Sequence, residues 1–483
     1  MPTLPESKPD DIGVLEKSDI DNGISQVIVP DDRQRYLRNI FDRRVLPLVC
    51  LLYVFSYLDR GNIGNAKTAG AQADLGLSSK QWTWVLNAFY ITYEVFEWTT
   101  MLWKILPAHI FVSVLCVGWG AAAICSGVVS NLAGLAACRA ILGICEVMLA
   151  TGSPFYLSMF YQRHELGLRM AFLLGSSPLA NCFASAVAYG ITHINSSWAD
   201  WRWLFVIEGL PTIIIAPFIF FFLPDSPSLA RFLTEEEKTL AVERIQMRDT
   251  TAKSKVHWHQ YLAGMADYKT YVHALIQFAW NYSFASLSNF LPTIINEMGF
   301  TSVDAQGLTA PPYFAACLCC IAGALVSDRW GKRGPLIAFF GALSFLGYLM
   351  LLVTTKTSVR YAGVFFACCG TFPIVALNLT WVLNNLGSDS KKGASLAVVA
   401  TVGQLTSFLG SAVFPNSAGP KYTLGCALGC GFCALIVVAA LALHFVLARE
   451  NRRRDRENGP VFADENLDLS NLGDKHPKFR YFT

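Results

Sequence analysis

The chain has 483 residues and a formal net charge of +3; 53% of its residues are hydrophobic and only 15% are charged. Soluble domains carry about 25% charged residues, so a large soluble enzyme, a disordered chain and a nucleic-acid binder are poor fits. The small net charge gives no reason to expect a polyanionic partner.

In chain order, residues 1–44 form a polar tail of mixed charge with no apolar run of signal-peptide type, so the first hydrophobic helix is expected to target the chain. A membrane span needs about 20 apolar residues. Twelve segments qualify: 45–65, 82–103, 109–130, 132–160, 169–192, 203–223, 271–297, 310–327, 335–354, 361–386, 394–415 and 422–447. Several contain Gly, Pro and polar residues, as expected of helices packed around a pathway rather than facing lipid on every side.

Lys and Arg set the orientation. Arg33, Arg35, Arg38, Arg43 and Arg44 precede the first span. Alternate connections then carry Arg163 and Arg169, Arg231 with Lys238 and Arg244, Arg329 with Lys332 and Arg333, and Lys391 with Lys392; the tail opens with Arg449, Arg452, Arg453 and Arg454. The opposite connections are sparse in Lys and Arg. Both termini are therefore expected in the cytoplasm, as an even number of spans also requires. The longest internal loop, 224–270, divides the chain six plus six, and its Thr234-Glu235-Glu236-Glu237 fits a capping box at the start of a short helix. The expected class is all-α integral membrane: a bundle of six transmembrane helices over 45–223, a central cytoplasmic loop 224–270, a second six-helix bundle over 271–447, and cytoplasmic tails 1–44 and 448–483. This is the plan of a two-bundle transporter.

No GxxxxGK[ST] run is present, so an ATP-driven pump is not expected. Neither a filter-like loop nor a four-fold repeat speaks for a channel. No Ser/His/Asp or HExxH arrangement speaks for an enzyme. The fourteen cysteines sit mostly in apolar runs, Cys317, Cys319, Cys320, Cys368 and Cys369 among them, and read as small hydrophobes rather than metal ligands or disulfides. No cofactor is expected.

After the eighth span, Ser327-Asp328-Arg329-Trp330-Gly331-Lys332-Arg333 resembles the major facilitator loop signature. Asp328 ends one helix, Gly331 permits a tight turn, and the basic residues stay on the cytoplasmic side. The corresponding loop of the first half, Trp103-Lys104-Ile105-Leu106-Pro107, lacks the Asp. That departure is common in the anion:cation symporter branch, and four stretches resemble its fungal allantoate permease family. They are Tyr57 through Ala66, Arg139 through Glu146 continued by Tyr156 through Arg169, Asn289 through Ile295, and the closing Asp474 through Tyr481. The likeness runs from about residue 45 to the end.

Charge inside a membrane is rare and usually functional. Asp59 and Arg60 lie within the first span; Arg139 and Glu146 lie within the fourth, seven residues or about two turns apart, and so face the same way. The resemblance implies that Arg60 and Arg139 bind an anion and that Asp59 and Glu146 carry protons. Arginine keeps its charge and offers a planar fork that fits a carboxylate. A substrate anion that occupies the arginine withdraws it from a neighbouring carboxylate, which then takes up a proton more readily; anion and proton binding reinforce one another. A structural reading, ion pairs that hold the first and fourth helices together, stays open beside this one.

Weaker pocket candidates are Tyr57, Tyr93 with Glu97, Trp381 with Asn384 and Asn385, and Gln404, which stands where the family usually has Asn. Asn281 and Asn289 fit either the pocket or interhelical hydrogen bonds. The family usually has Pro where Thr99 stands, which puts the bend of the second span in question. Gly61, Gly64 and Ala66 read as a close-packing face. Asp328, Arg329, Gly331 and Arg333 are the gating candidates. Of three NxS/T sequons, only Asn195-Ser196-Ser197 falls in an expected outer loop, and Asn195 is the glycosylation candidate.

The resemblance implies proton-coupled import of a small organic anion through a monomer in the lipid bilayer, at the plasma membrane first and the vacuole second. Nucleic acid is not an expected partner. Export of an acidic metabolite is the alternative, since direction follows the gradients. A receptor that signals without transport is disfavoured by the short tails.

Overall fold

A computed structural model describes residues 31–191, 196–246, 258–386, 389–419, 421–459, 474 and 476–483. Asn195 lies outside them. Twelve long helices follow in order: α1 Leu46–Thr68, α2 Ser79–Val95, α3 Ala108–Ser126, α4 Leu132–Ser158, α5 Arg163–Ile191, α6 Asp200–Phe222, α7 Tyr268–Asn296, α8 Ser302–Trp330, α9 Gly334–Val353, α10 Thr357–Asn384, α11 Asp389–Ala412 and α12 Thr423–Asn458. Helices are the form lipid demands, because every backbone polar group is satisfied within its own segment. Nine of the twelve are long and apolar enough, among the described residues, to cross a membrane by length and composition. The other three are α1, α2 and α7. α1 and α7 carry polar side chains that would be costly in lipid, and both are enclosed by protein: residues 58–66 of α1 and most of α7 are buried.

α1 and α7 meet on the side of the molecule remote from the termini. Ser302 Oγ donates to the Thr68 carbonyl at 2.6 Å, and the Thr68 and Thr293 hydroxyls lie 3.4 Å apart. Asn289 Nδ2 donates to Tyr90 Oη at 3.0 Å, and Ser411 Oγ to Asn87 Oδ1 at 2.7 Å. Gly64 is what permits this approach: a Cβ there would stand 2.6 Å from the Asn289 carbonyl oxygen. Gly64→Val should therefore push α1 off α7, an overpacking cost of about 1–3 kcal/mol, and disfavour closure of this side. A Thr68→Cys/Thr293→Cys pair reports it: cross-linking should fall several-fold in the Gly64→Val background.

On the terminal side the two halves carry separate charge clusters. In the first half Arg169 grips Asp42 at 2.5 and 3.0 Å, and Arg244 pairs with Glu165. Arg244 belongs to the helix Glu235–Gln246, which opens with the expected capping box: Thr234 N donates to Glu237 Oε2 at 2.8 Å, and Glu237 N to Thr234 Oγ1 at 3.4 Å. Burial lowers the Arg244 pKa, and the Glu165 carboxylate opposes that shift. A second short helix, Trp258–Met265, precedes α7.

The second span departs from expectation. It ends as α-helix at Val95 and continues as a 3₁₀ segment, Glu97–Lys104. Thr99 Oγ1 donates to the Phe96 carbonyl at 2.5 Å, so a hydroxyl competes for the backbone where the helix changes pitch. Trp103 Nε1 anchors the segment to the Met148 carbonyl at 2.7 Å. The change of pitch occurs without the proline.

Candidate functional site

The interior of the first bundle is built around two guanidinium groups. Arg60 leaves α1 toward α2 and α4, where its Nε lies 3.2 Å from Glu146 Oε2. Three rings enclose it: Tyr57 at 5.2 Å, Phe89 at 5.0 Å and Tyr93 at 4.9 Å from Cζ to centroid. Such cation–π contacts strengthen when desolvated. Arg139 on α4 lies over the same Phe89 ring at 4.9 Å. Phe89, absent from the sequence-based candidates, therefore stands between both cations. An apolar residue in an apolar span gives no signal of such a role.

The two arginines are not equivalent. Arg60 has a carboxylate partner. Arg139 is 1% exposed, its Nε has no hydrogen-bond partner, and its Nη1 reaches only the Asp59 backbone carbonyl at 3.5 Å. Among the described residues it forms no ion pair. A buried cation outside ion-pair contact costs several kcal/mol; here the Glu146 and Asp59 carboxylates act on it only from beyond that distance.

Asp59 points elsewhere. One residue along a helix is a turn of about 100°, and this carries the carboxylate off Arg60 to α6, where Thr212 Oγ1 donates to its Oδ2 at 3.4 Å, still within reach of the Glu146 and Arg139 charges. One turn from Thr212 on the same helix is Glu208, 3% exposed, whose two carboxylate oxygens have no hydrogen-bond partner and on which the Asp59 charge acts. Glu208 was missed in the sequence. Its signal was available, since it is the single acid inside the apolar span 203–223.

Across the molecule, Phe284 of α7 meets Tyr57 edge-on at 6.1 Å and stacks on Trp280 at 4.9 Å. Gln404 on α11 accepts from Asn281 Nδ2 and, at 3.2 Å, from Ser407 Oγ. Thr401 Oγ1 donates to Glu97 Oε2 at 3.4 Å, linking α11 to the 3₁₀ segment.

Trp381 and Asn385, read from the sequence as pocket candidates, are placed elsewhere. Trp381 is fully buried, and its Nε1 donates to the Phe482 carbonyl at 2.8 Å. Asn385 binds both backbone polar groups of the same residue: its Nδ2 donates to the Phe482 carbonyl at 2.9 Å, and its Oδ1 accepts from Phe482 N at 2.7 Å. Both side chains bind the C-terminal tail. Asp474 of that tail accepts from Lys269 Nζ at 2.6 Å and from Lys391 Nζ at 2.9 Å, and Lys391 also pairs with Asp267 at 2.6 Å. Burial alone would raise the Asp474 pKa, but the two ammonium groups override it and hold the carboxyl below its ordinary range. Arg454 of α12 reaches the carbonyls of Asp474 and Phe479, each at 3.0 Å.

The gating candidates form a compact corner beside this tail. Gly331 ends α8 in the left-handed region at φ +61°, which a side chain would strain, and its N–H donates to the Ser327 carbonyl at 2.9 Å. Arg333 lies 3.8 Å from Asp328, and its N–H donates to the Thr483 carbonyl at 2.6 Å. Burial lowers the Arg333 pKa to about 10. Arg329 stands in the last turn of α8.

The Major Facilitator Superfamily profile matches residues 49–411. The chain belongs to this superfamily. As a member it is a multi-pass membrane transporter and not an enzyme, with the twelve-helix facilitator fold. The high-affinity nicotinic acid transporter of Saccharomyces cerevisiae is 31% identical, over 95% of this chain and 87% of its own. The major facilitator-type transporter hxnP of Emericella nidulans is 31% identical over 95% of both chains. The inward-open xylose transporter XylE of E. coli superposes with a TM-score of 0.65 at 14% identity, over 84% of this chain and 95% of its own, a likeness of fold.

Proposed function

We propose that this facilitator carries a small organic carboxylate together with a proton, as a member of the fungal allantoate permease branch. The observation that carries the reading is Arg139, a buried guanidinium without a carboxylate partner, beside the ring-enclosed Arg60. A carboxylate between them would receive charge-assisted, forked hydrogen bonds in a dry site. Its arrival weakens the hold of Arg60 on Glu146, which then accepts a proton. Anion and proton thus load together. Tyr57 and Tyr93 wall the site, while Asn281 and Gln404 face it from the second bundle and set its preference. The closed side remote from the termini and the separate charge clusters on the terminal side suit alternating access by rocking bundles. With Lys and Arg concentrated on the terminal side, that side is the cytoplasmic one. The 31% identity to a nicotinic acid transporter supports the substrate class.

The test is proton movement in proteoliposomes on addition of nicotinate and a panel of small carboxylates, with Arg60→Ala beside the wild type. Anion-dependent proton influx in the wild type, absent from the variant, is the expected result. Folded wild type that moves no protons with any carboxylate would overturn the reading.

A further inference from the structure

Glu208 is a buried acid that the anion site does not use. It lies on α6, whose residues 208 and 212 share one face a turn apart. Thr212 fixes that face toward α1 by its 3.4 Å bond to Asp59 Oδ2. α1 and α6 run antiparallel, so Glu208 lies about one pitch, 5.4 Å, beyond Thr212 toward the side remote from the termini. That level of α1 is occupied by Asn62, fully buried, with neither side-chain polar atom partnered. The other groups around the spot are named readily. α3 contributes Trp119, fully buried, whose indole acts on the Asp59 carboxylate; α4 contributes Arg139, whose Nη1 reaches the Asp59 backbone and whose charge also acts on that carboxylate. Glu146 is engaged with Arg60 and also acts on Asp59. Among the described residues no cation bonds to either Glu208 oxygen, and its electrostatic partner is Asp59.

Two buried carboxyls, one acting on the other and neither in an ion pair among the described residues, do not both ionise. Asp59 has the Thr212 hydroxyl and lies nearer the Arg139 charge; Glu208 has neither. We propose that Glu208 holds a proton against Asp59, forming a protonation site inside the first bundle that is separate from the Arg60–Glu146 pair. Its use in transport rests on the symport reading above; the held proton itself does not. The facilitator then has two places to keep a proton: one exchanges with substrate at Glu146, and one stands a helix face behind it.

Infrared difference spectroscopy on the full chain in lipid, titrated with pH and without substrate, reads this directly. Wild type should show a protonated-carboxyl band at neutral pH. Glu208→Gln, nearly isosteric, should lose that band while keeping its size-exclusion profile. Asp59→Asn should keep the band but titrate it about 1 pH unit or more lower, because the opposing charge is gone. Glu146→Gln should leave it in place. A band unchanged in Glu208→Gln, or lost in Glu146→Gln instead, overturns the proposal. If Glu208→Gln fails to fold, the Asp59→Asn shift decides: an unmoved band overturns it. Substrate enters neither measurement, so a failed symport assay beside an intact, Glu208-dependent band counts against the transport reading alone.

Discussion

Arg139→Gln is expected to lower carboxylate affinity by about 100-fold or more and to abolish uptake, while leaving the empty protein as heat-stable as the wild type or more so. The two halves of this expectation come from one observation. Arg139 is 1% exposed and unpaired, so the unloaded protein bears the cost of its desolvation. Removing the charge removes that cost. It also removes a charge-assisted anchor whose loss costs about 2–5 kcal/mol in a buried site, and 1.4 kcal/mol is tenfold in affinity. Melting curves of purified wild type and variant, with and without nicotinate, check both halves. If the variant melts well below the wild type without ligand, Arg139 is a structural tie between α1 and α4. Arg60→Gln differs in kind: it strands Glu146, and destabilisation of the empty protein is expected there.

Asp474→Ala should destabilise the second bundle by about 3–5 kcal/mol, the usual consequence of removing one partner from a buried ion cluster. Asp474, Lys269 and Lys391 have side chains 6%, 7% and 9% exposed, so solvent does not replace the lost carboxylate. The melting temperature should fall, and trypsin should cut the tail at Lys478 and Arg480 at concentrations that spare the wild type. Adding Lys391→Met should recover part of the loss. Unchanged melting and an unchanged cleavage pattern would show the tail to be an appendage. The pH dependence has a definite sign. The folded Asp474 pKa lies below its unfolded value, so its contribution is complete above about pH 4 and is lost as pH falls through the depressed folded value. The tail should therefore stay docked from about pH 5 to 8 and loosen only in stronger acid.

The helical class was legible because lipid imposes one rule on every span, length and apolarity, and twelve segments obeyed it closely enough to be found. α1 and α7 were found despite Asp59, Arg60 and the asparagines of α7. The change of pitch at Phe96 was not legible. It depends on a hydroxyl and a backbone carbonyl competing locally, and the proline that would have announced it is absent. Arg60, Arg139 and Glu146 were legible by the rarity of charge in a span, and the same rule would have given Glu208 had it been applied to the sixth segment. Trp381 and Asn385 show what a motif does not carry. Pattern placed them beside a pocket, but what an indole N–H and an amide bind is set by the segment that arrives there, here a tail more than ninety residues downstream. Phe89 is the opposite case, an ordinary core residue by sequence that acquires its role from two cations brought over its ring.

The ion cluster beneath the second bundle also bears on how the protein is made. Lys269, Lys391 and Asp267 are synthesised and inserted before Asp474. With three members in place the cluster sums to two positive charges and one negative, a surplus of +1 in a site built to be dry. Asp474, 83 residues after Lys391, neutralises it. A nascent chain that stops short of residue 474 keeps twelve long helices and still carries an uncompensated ammonium group at their base. Docking of the segment that carries Asp474 is therefore the step that balances charge at the base of the second bundle, and the helices above it assemble around a site that is electrically unfinished until then.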